Sequence, residues 1–576
     1  MMRVKRNLTL AALGVIVALI IPALASAEHG GSSSPQLDVV GQFSVPVAGV
    51  TTDVWALGNY AYIGSFSQPF CSADLTGVRV IDISNPAEPE QVSFIPAKPG
   101  TRNNDVKVEH IETPHFQGEI LVSSNEPCDS FYLPRLNARG GNIIPGQGGI
   151  AIWDVTDPTK PRAMRQNFLK NPIHNTFVWQ QNDNAYLIAV DDIAARDVVI
   201  VDITKPQSPK VVATTGAPDW PTLGFAEIEG PELFLHDVWV QENSGRTTAY
   251  LSYWDAGLVL LDVTDPANPV FQGDSTYPNP DVLSGLPAEG NGHVAAPTAD
   301  GKIAILGDED FAKFSSFLQT SAGGFKFKVA LFGPNPLATF PAGDVVWTGG
   351  QGCSTGDIPP ADLGDPDPQI ALIQRGTCFF STKAFSAQQQ GYDAYIVAND
   401  GARGDGLIDM SAGTADPVSI PGIFVGHTAG EAMKPTATVS GIASIPDGEG
   451  FMRVLDVSDP ANIVQLGHFA TEGVFQIPAL PGDRTAHNVI VRGGRAYWSW
   501  YEEGMRVVDF SDCSVGDGFE SCLPTEVAHF VDDGTGPDSQ NDHSNFWGVY
   551  LHDHPDGNTY ILGSDRDSGL WIFANP

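Results

Sequence analysis

The sequence predicts a mainly β fold: a seven-bladed β-propeller, closed by its N-terminal strand and interrupted in the fifth blade by an α/β unit. Three observations predict it. One phrase recurs as "GVRVIDISNPAEP" (77–89), "GIAIWDVTDPTKP" (149–161), "DVVIVDITKPQSP" (197–209), "GLVLLDVTDPANP" (257–269), "FMRVLDVSDPANI" (451–463) and, shortened, "GMRVVDFSD" (504–512). The stretches around each copy read as strands with no convincing helix between them. The spacing breaks once: 194 residues separate Asp262 from Asp456, against 48 to 72 between the other neighbouring copies.

The elements follow in chain order. Residues 1–27 have the pattern of an export signal: Arg3, Lys5 and Arg6, an apolar run from Leu8 to Leu24, then "ASA". Residues 28–36, "EHGGSSSPQ", read as a flexible leader. The blade grammar is clearest in 236–274. "HDVWVQ" alternates apolar and polar, "TTAYLSYW" is a second strand, and "LVLLDV" is a short apolar run of the kind covered on both faces. "TDPANP" is a turn, because Asp bonds its own backbone and Pro presets φ while removing a donor. "VFQGDS" is a fourth, weaker strand, and four strands per unit make a propeller blade. Units end near Asp82, Asp154, Asp202, Asp262, Asp456, Asp509 and, in degenerate form, at Phe573. The last unit stops after its third strand. "LDVVGQFSVP" (37–46) resembles the fourth strands "NIVQLGHFAT" and "PTEVAHFVDD", so it should complete that blade and leave no open edge. The propeller should therefore occupy 37–314 and 448–576, around an insertion at 315–447.

The repeats "VVIVDI", "LVLLDV" and "GVRVIDISNP" resemble the LVIVD repeat, a propeller-forming family of exported and surface proteins. That resemblance implies architecture and little about activity. Within the insertion, "QIALIQRGTCFFSTKAFSAQQQGYDAYIVANDG" (369–401) reads strand, loop, helix, strand, with Ser381 as a cap and Gly391 as the stop. "SIPGIFVGHTAGEAM" (419–433) adds a strand and a short helix. An apolar strand, Arg375-Gly376, Cys378, a Lys-containing helix and a strand ending at Asn399-Asp400 resemble the protease-associated (PA) domain. The resemblance implies a non-catalytic lid or interaction module. The chain shows no HExxH motif. The insertion falls between a blade's second and third strands, so it should lie over the face where first strands begin.

The net charge is −37, from 31 Lys and Arg against 68 Asp and Glu. This excludes nucleic acid as a partner, because phosphates need cations. It fits a secreted, periplasmic or cell-surface protein, and no apolar run after the signal is long enough to span a bilayer. Six Cys in an exported chain imply three disulfides. Their pairing stays open; spacing and position favour Cys71–Cys128, Cys353–Cys378 and Cys513–Cys522.

First strands line the channel of a propeller, and several begin with His: His174, His236, His293 and His487. Asp53 and Asp105 stand near this place in blades one and two, and His543 slightly upstream of it in blade seven. Second strands end in acids on the same face: Asp191 and Asp192, Asp255, Asp308 and Glu309, Glu502 and Glu503, Asp565 and Asp567. Two readings stand side by side. A His per blade can belong to the repeat, pairing with an acid such as Asp255 or Glu502 in a structural hydrogen-bond network. Alternatively His174, His236, His293 and His487, with Asp255 and Glu502, hold a transition metal, since neutral imidazole suits zinc, copper, iron or nickel. The acidic run "DDGTGPDSQNDH" (532–543) is a weaker candidate for calcium, and "HDHPDG" (552–557) reads as a solvated turn. The first expectation is a binding protein for an extracellular protein or glycan rather than an enzyme. The second is a metal-dependent hydrolase or oxidoreductase at the channel mouth.

Overall fold

The computed structural model describes residues 33–45, 51–66, 76–127, 148–221, 223, 233–278, 280–286, 288–413, 417–475, 482–532 and 544–576. The signal segment, Cys71, Cys128, His543 and nearly all of the acidic run lie outside these residues. Six four-stranded sheets and one five-stranded sheet form seven blades, and a closed seven-stranded barrel stands beside them. The inner strands are Thr51–Leu57, Val106–Thr113, Ile173–Gln181, Leu235–Asn243, Gly292–Pro297, Val489–Arg492 and Phe546–Asp553.

The recurring phrase builds the third strand of a blade and its exit turn. In all six copies the first Asp accepts a hydrogen bond from the backbone N–H two residues on: Asp82 from Ser84, Asp154 from Thr156, Asp202 from Thr204, Asp262 from Thr264, Asp456 from Ser458 and Asp509 from Ser511. The carboxylate thus caps the turn locally, which is why this residue recurs. Val39–Ser44 pairs antiparallel with Gly569–Ala574 and supplies the fourth strand of the last blade. The leader is tied to blade six, where Ser34 Oγ donates to Glu526 Oε1 at 2.6 Å. "HDHPDG" is a hairpin, but its two imidazoles are not solvated. His552 and His554 are buried, and their Nε2 atoms bond the carbonyls of Gly58 and Ile83 in blade one, at 2.8 and 3.0 Å.

In blade five, Ile303–Asp308 pairs with Met452–Asp456, and the chain between them forms the barrel. The barrel runs from Phe314 to Pro446, and these two residues are opposite each other in its first and last strands. Gln369–Gln374, Ala394–Ala398 and Gly422–Val425 are parallel, with a helix at Phe380–Gln389 between the first two. Ser381 is not the cap of that helix. Phe379 holds the cap position, and Ser381 is buried within the first turn. Gly391 ends the helix with φ +89°, a conformation that favours glycine. Among the described residues two disulfides are present, Cys353–Cys378 in the barrel and Cys513–Cys522 in blade six.

Candidate functional site

Adjacent strands run antiparallel, so first strands start and second strands end on one face. The inner strands place three tiers of side chains down the channel from that face. The outermost tier holds Thr52, Asn104, His174, His236, His293, His487 and Trp547. The next begins with Asp53, Asp105, Asn175 and Asp237, one residue further along each strand. Two residues deeper stand Trp55, Lys107, Phe177 and Trp239, which pack together. Trp55 packs against Phe177 at 6.3 Å and Trp239 at 6.5 Å between ring centres, and Phe177 lies 4.9 Å from Trp239.

Lys107 binds the middle tier. Its ammonium contacts Asp53 at 2.8 Å, also bonds Asp105, and sits 4.8 Å above the Trp55 ring. Asp105 accepts two further bonds, from Thr176 N–H at 2.8 Å and its hydroxyl at 2.6 Å. Burial lifts the Asp53 carboxyl to about 6 and the Asp237 carboxyl to about 7, in both cases against the pull of Lys107. Burial also works against the ammonium, but Asp105, Asp53 and Asp237 outweigh it and hold Lys107 above the usual lysine range.

The four expected imidazoles come together in the outermost tier. Ring centres are 4.4 Å apart for His174–His236, 4.1 Å for His236–His293 and 4.2 Å for His293–His487. Trp547 continues the arc 4.3 Å from His487. Two of the rings are fixed by acceptors on neighbouring blades. His487 Nδ1 donates to the Trp547 carbonyl at 2.5 Å, and His174 Nδ1 lies 2.5 Å from Glu126 Oε1. Burial pushes the His487 pKa down to about 3, so this imidazole is neutral. Burial favours a protonated Glu126, but the Arg102 guanidinium and His174 prevail and hold its carboxyl at about 2.

The acid among the imidazoles is Glu309. Its carboxylate lies 3.7 Å from Nε2 of His293 and 3.7 Å from Nε2 of His487, and it accepts the Tyr501 hydroxyl at 2.5 Å. One ligand atom each from His236, His293 and Glu309 lie within 4.8 Å of one another, as do atoms from Glu126, His174 and Asp192. Asp255 and Glu502 are in neither of these groups. Asp255 accepts from Asn291 N–H at 3.3 Å, and Glu502 lies beside Arg484 at 3.8 Å. Glu126 escaped the sequence reading. It ends the second strand of blade two in "SSNEP", the place where blades three to seven carry acids.

The barrel roofs part of this face. Glu289, in the loop before blade five, bonds Ser315 Oγ at 2.8 Å and Lys326 Nζ at 3.0 Å. Lys313 reaches Glu449 at 3.5 Å, and Asp310 N–H donates to Thr485 Oγ1 at 2.9 Å. Between roof and face lies a cavity of about 430 Å³, walled by Trp254, Asp255, Phe314, Lys328, Leu407 and Asp409 among others. It borders the imidazoles, since the Trp254 ring is 5.3 Å from that of His236.

Comparison with known proteins agrees with this anatomy. Residues 341–433 match the PA domain family, and residues 48–94 and 236–276 match the LVIVD repeat. The chain is 39 % identical over 97 residues to the Drosophila melanogaster E3 ubiquitin-protein ligase Godzilla. It is 43 % identical over 67 residues to the Arabidopsis thaliana receptor homology region, transmembrane domain- and RING domain-containing protein 6. These matches cover 17 and 12 % of this chain and only 18 and 20 % of the relatives. Among solved structures, Saccharomyces cerevisiae Sqt1 aligns over 94 % of this chain and 100 % of its own, at 7 % identity and TM-score 0.39. A Bacillus subtilis zinc aminopeptidase aligns over 27 % of this chain and 36 % of its own, at 18 % identity and TM-score 0.18.

Proposed function

We propose that this chain, which carries LVIVD repeats and a PA domain and presents one face roofed by an inserted module, is an exported or surface-exposed binding protein and that its ligand, a flexible segment of an extracellular polypeptide, sits between the PA barrel and the propeller. The observation that carries this is the cavity of about 430 Å³ at their junction. A pocket of this size falls within the range that encloses a small-molecule-sized group or a few side chains. Its wall combines apolar Phe314, Leu337 and Leu407 with Lys328, Asp255 and Asp409. Apolar side chains beside charges of both signs suit a polypeptide better than an uncharged glycan. The closed barrel offers no unpaired strand edge, so recognition would run through side chains rather than strand addition.

The test uses the mature exported protein against a phage-displayed library of unstructured peptides, with a glycan array beside it. Peptides should be enriched, and Ser316→Trp and Leu407→Arg, which fill or charge the cavity, should abolish their binding without lowering Tm. Enrichment that survives both substitutions, or binding on the glycan array alone, would overturn the polypeptide reading.

A further inference from the structure

We infer that the channel mouth is a binding site for one divalent transition-metal ion, held by His236 and His293 through imidazole nitrogen and by Glu309 through its carboxylate, with His487 as the fourth donor. The inference is independent of what occupies the roofed cavity. It starts from spacing. Donors about 2.1 Å from a tetrahedral ion lie about 3.4 Å from one another. Glu309 Oε2 is 3.7 Å from Nε2 of His293, and its other oxygen, Oε1, is 3.7 Å from Nε2 of His487, so the two carboxylate oxygens face two imidazoles. Those separations are too long for hydrogen bonds and close to what donors around one ion require. His236 joins them, with its ligand atom, that of His293 and that of Glu309 all within 4.8 Å of one another.

The neighbouring group of Glu126, His174 and Asp192 meets the same 4.8 Å spacing, but two of its members are already bonded to each other. Glu126 Oε1 and His174 Nδ1 are 2.5 Å apart, too close for two ligands of one ion. A proton holds them together, and Arg102 completes that pair with Nε 2.6 Å from Glu126 Oε2. His174 and Glu126 therefore belong to the rim of the site and not to its ligand set.

The surroundings orient His487 and Glu309 as metal sites require. Ligating imidazoles usually give their second N–H to a carbonyl or carboxylate, which fixes the tautomer. His487 does so through the Trp547 carbonyl, and this directs the Nε2 lone pair toward Glu309. The Tyr501 hydroxyl holds Glu309 Oε1 from the other side. His236, His293, His487 and Glu309 are all buried. The donors are neutral nitrogen and one carboxylate, with no thiolate. Such a set selects zinc, copper(II), iron(II) or nickel. It does not select calcium, which takes six to eight oxygens.

The experiment is metal analysis of the untagged exported protein, followed by cobalt(II) titration of the stripped protein read by its visible d–d absorption. About one equivalent should bind. His236→Ala with His293→Ala should abolish the absorption, Glu309→Gln should weaken affinity at least 10-fold, and His468→Ala, on the outer strand of blade five, should change nothing. Circular dichroism checks folding. If the double variant does not fold, the Glu309→Gln titration decides alone. The inference is overturned if stripped protein takes up none of cobalt, zinc or copper, or if folded Glu309→Gln binds cobalt as the parent does. Since peptide capture by the cavity is read separately, loss of one result leaves the other standing.

Discussion

Replacing Lys107 by Met is the sharpest test of how the channel is held. Met keeps most of the side-chain volume beside Trp55, so the packing cost is small and the electrostatic cost dominates. At 2.8 Å from Asp53, a unit-charge pair is worth about 6 kcal/mol at an effective dielectric of about 20. Removing the buried ammonium also removes its own desolvation cost, which offsets part of this. Breaking one side of a buried pair typically costs about 3–5 kcal/mol, because the remaining charges stay buried. Spread over a cooperative unit as long as this propeller, that is a fall in Tm of only about 4–6 °C, so denaturant titration is the better assay. The pH dependence carries the diagnosis. Asp53 already titrates near 6 in the folded protein, raised by burial. A carboxyl raised in the folded state contributes stability that is fully present below its unfolded value of about 4 and is lost as pH rises through the folded value. Without Lys107 that folded value rises further. The deficit of Lys107→Met against the parent should therefore be largest at pH 8 and shrink toward pH 5. Asp53→Asn in the Lys107→Met background should recover part of it at pH 8. No loss at pH 8, or the same loss at pH 5 and pH 8, would refute the reasoning.

Two further outcomes follow from the same physics. Cys513→Ser with Cys522→Ser should cost about 2–3 kcal/mol in a denaturant titration, because the bridge closes a short loop, with a sequence separation of 9. Acidification should tighten the joint between barrel and propeller. Burial, with Glu289 nearby, lifts Asp447 to about 7 against the Lys326 charge and the Ser315 bond, and burial lifts Glu449 to about 7 against Lys313 and the Arg484 N–H, with Asp483 adding to the rise. Both contribute stability that is present at pH 5 and lost as pH rises through 7. Hydrogen exchange at 310–316 and 446–450 should therefore be slower, after correction for intrinsic rates, at pH 5.5 than at pH 8.

What the sequence made legible is what is decided locally. The turn Asp residues recur because each caps its own backbone, and the insertion shows as a broken interval whatever the tertiary packing. Strand starts could also be read, and they placed His174, His236, His293 and His487 at the mouth. The acids were harder. Asp308 and Glu309 are consecutive, so they point to opposite sides of the strand end, and only the coordinates decide which one turns into the channel. Asp308 goes to Arg453 Nε at 2.7 Å and to the Tyr277 hydroxyl at 3.1 Å, while Glu309 meets the imidazoles. Lys107 was invisible for another reason. In "NNDVKVE" it reads as the polar side of a half-exposed strand, although that side faces the channel and is buried. His552 and His554 were misread likewise, because a hairpin looks solvated until a neighbouring blade is packed against it.

The contacts of the imidazoles bear on why the metal question cannot be decided by stability alone. A structural network of the repeat would join a His to an acid of its own blade. His293 does face Glu309 of its own blade, at 3.7 Å, but His487 of blade six bonds the Trp547 carbonyl of blade seven and faces Glu309 of blade five, and His174 of blade three bonds Glu126 of blade two. Asn175 beside it donates to the His236 carbonyl of blade four at 3.3 Å. These side chains therefore stitch neighbouring blades together whether or not an ion is bound. Their removal must destabilise the ring on either reading, so a lower Tm in a His variant separates nothing. Glu309→Gln keeps shape, the Tyr501 contact and the inter-blade bonds of the imidazoles, and changes only the charge that a cation would meet. A loss of cobalt affinity in that variant, at unchanged stability, is an outcome that a purely architectural role for the imidazoles does not produce.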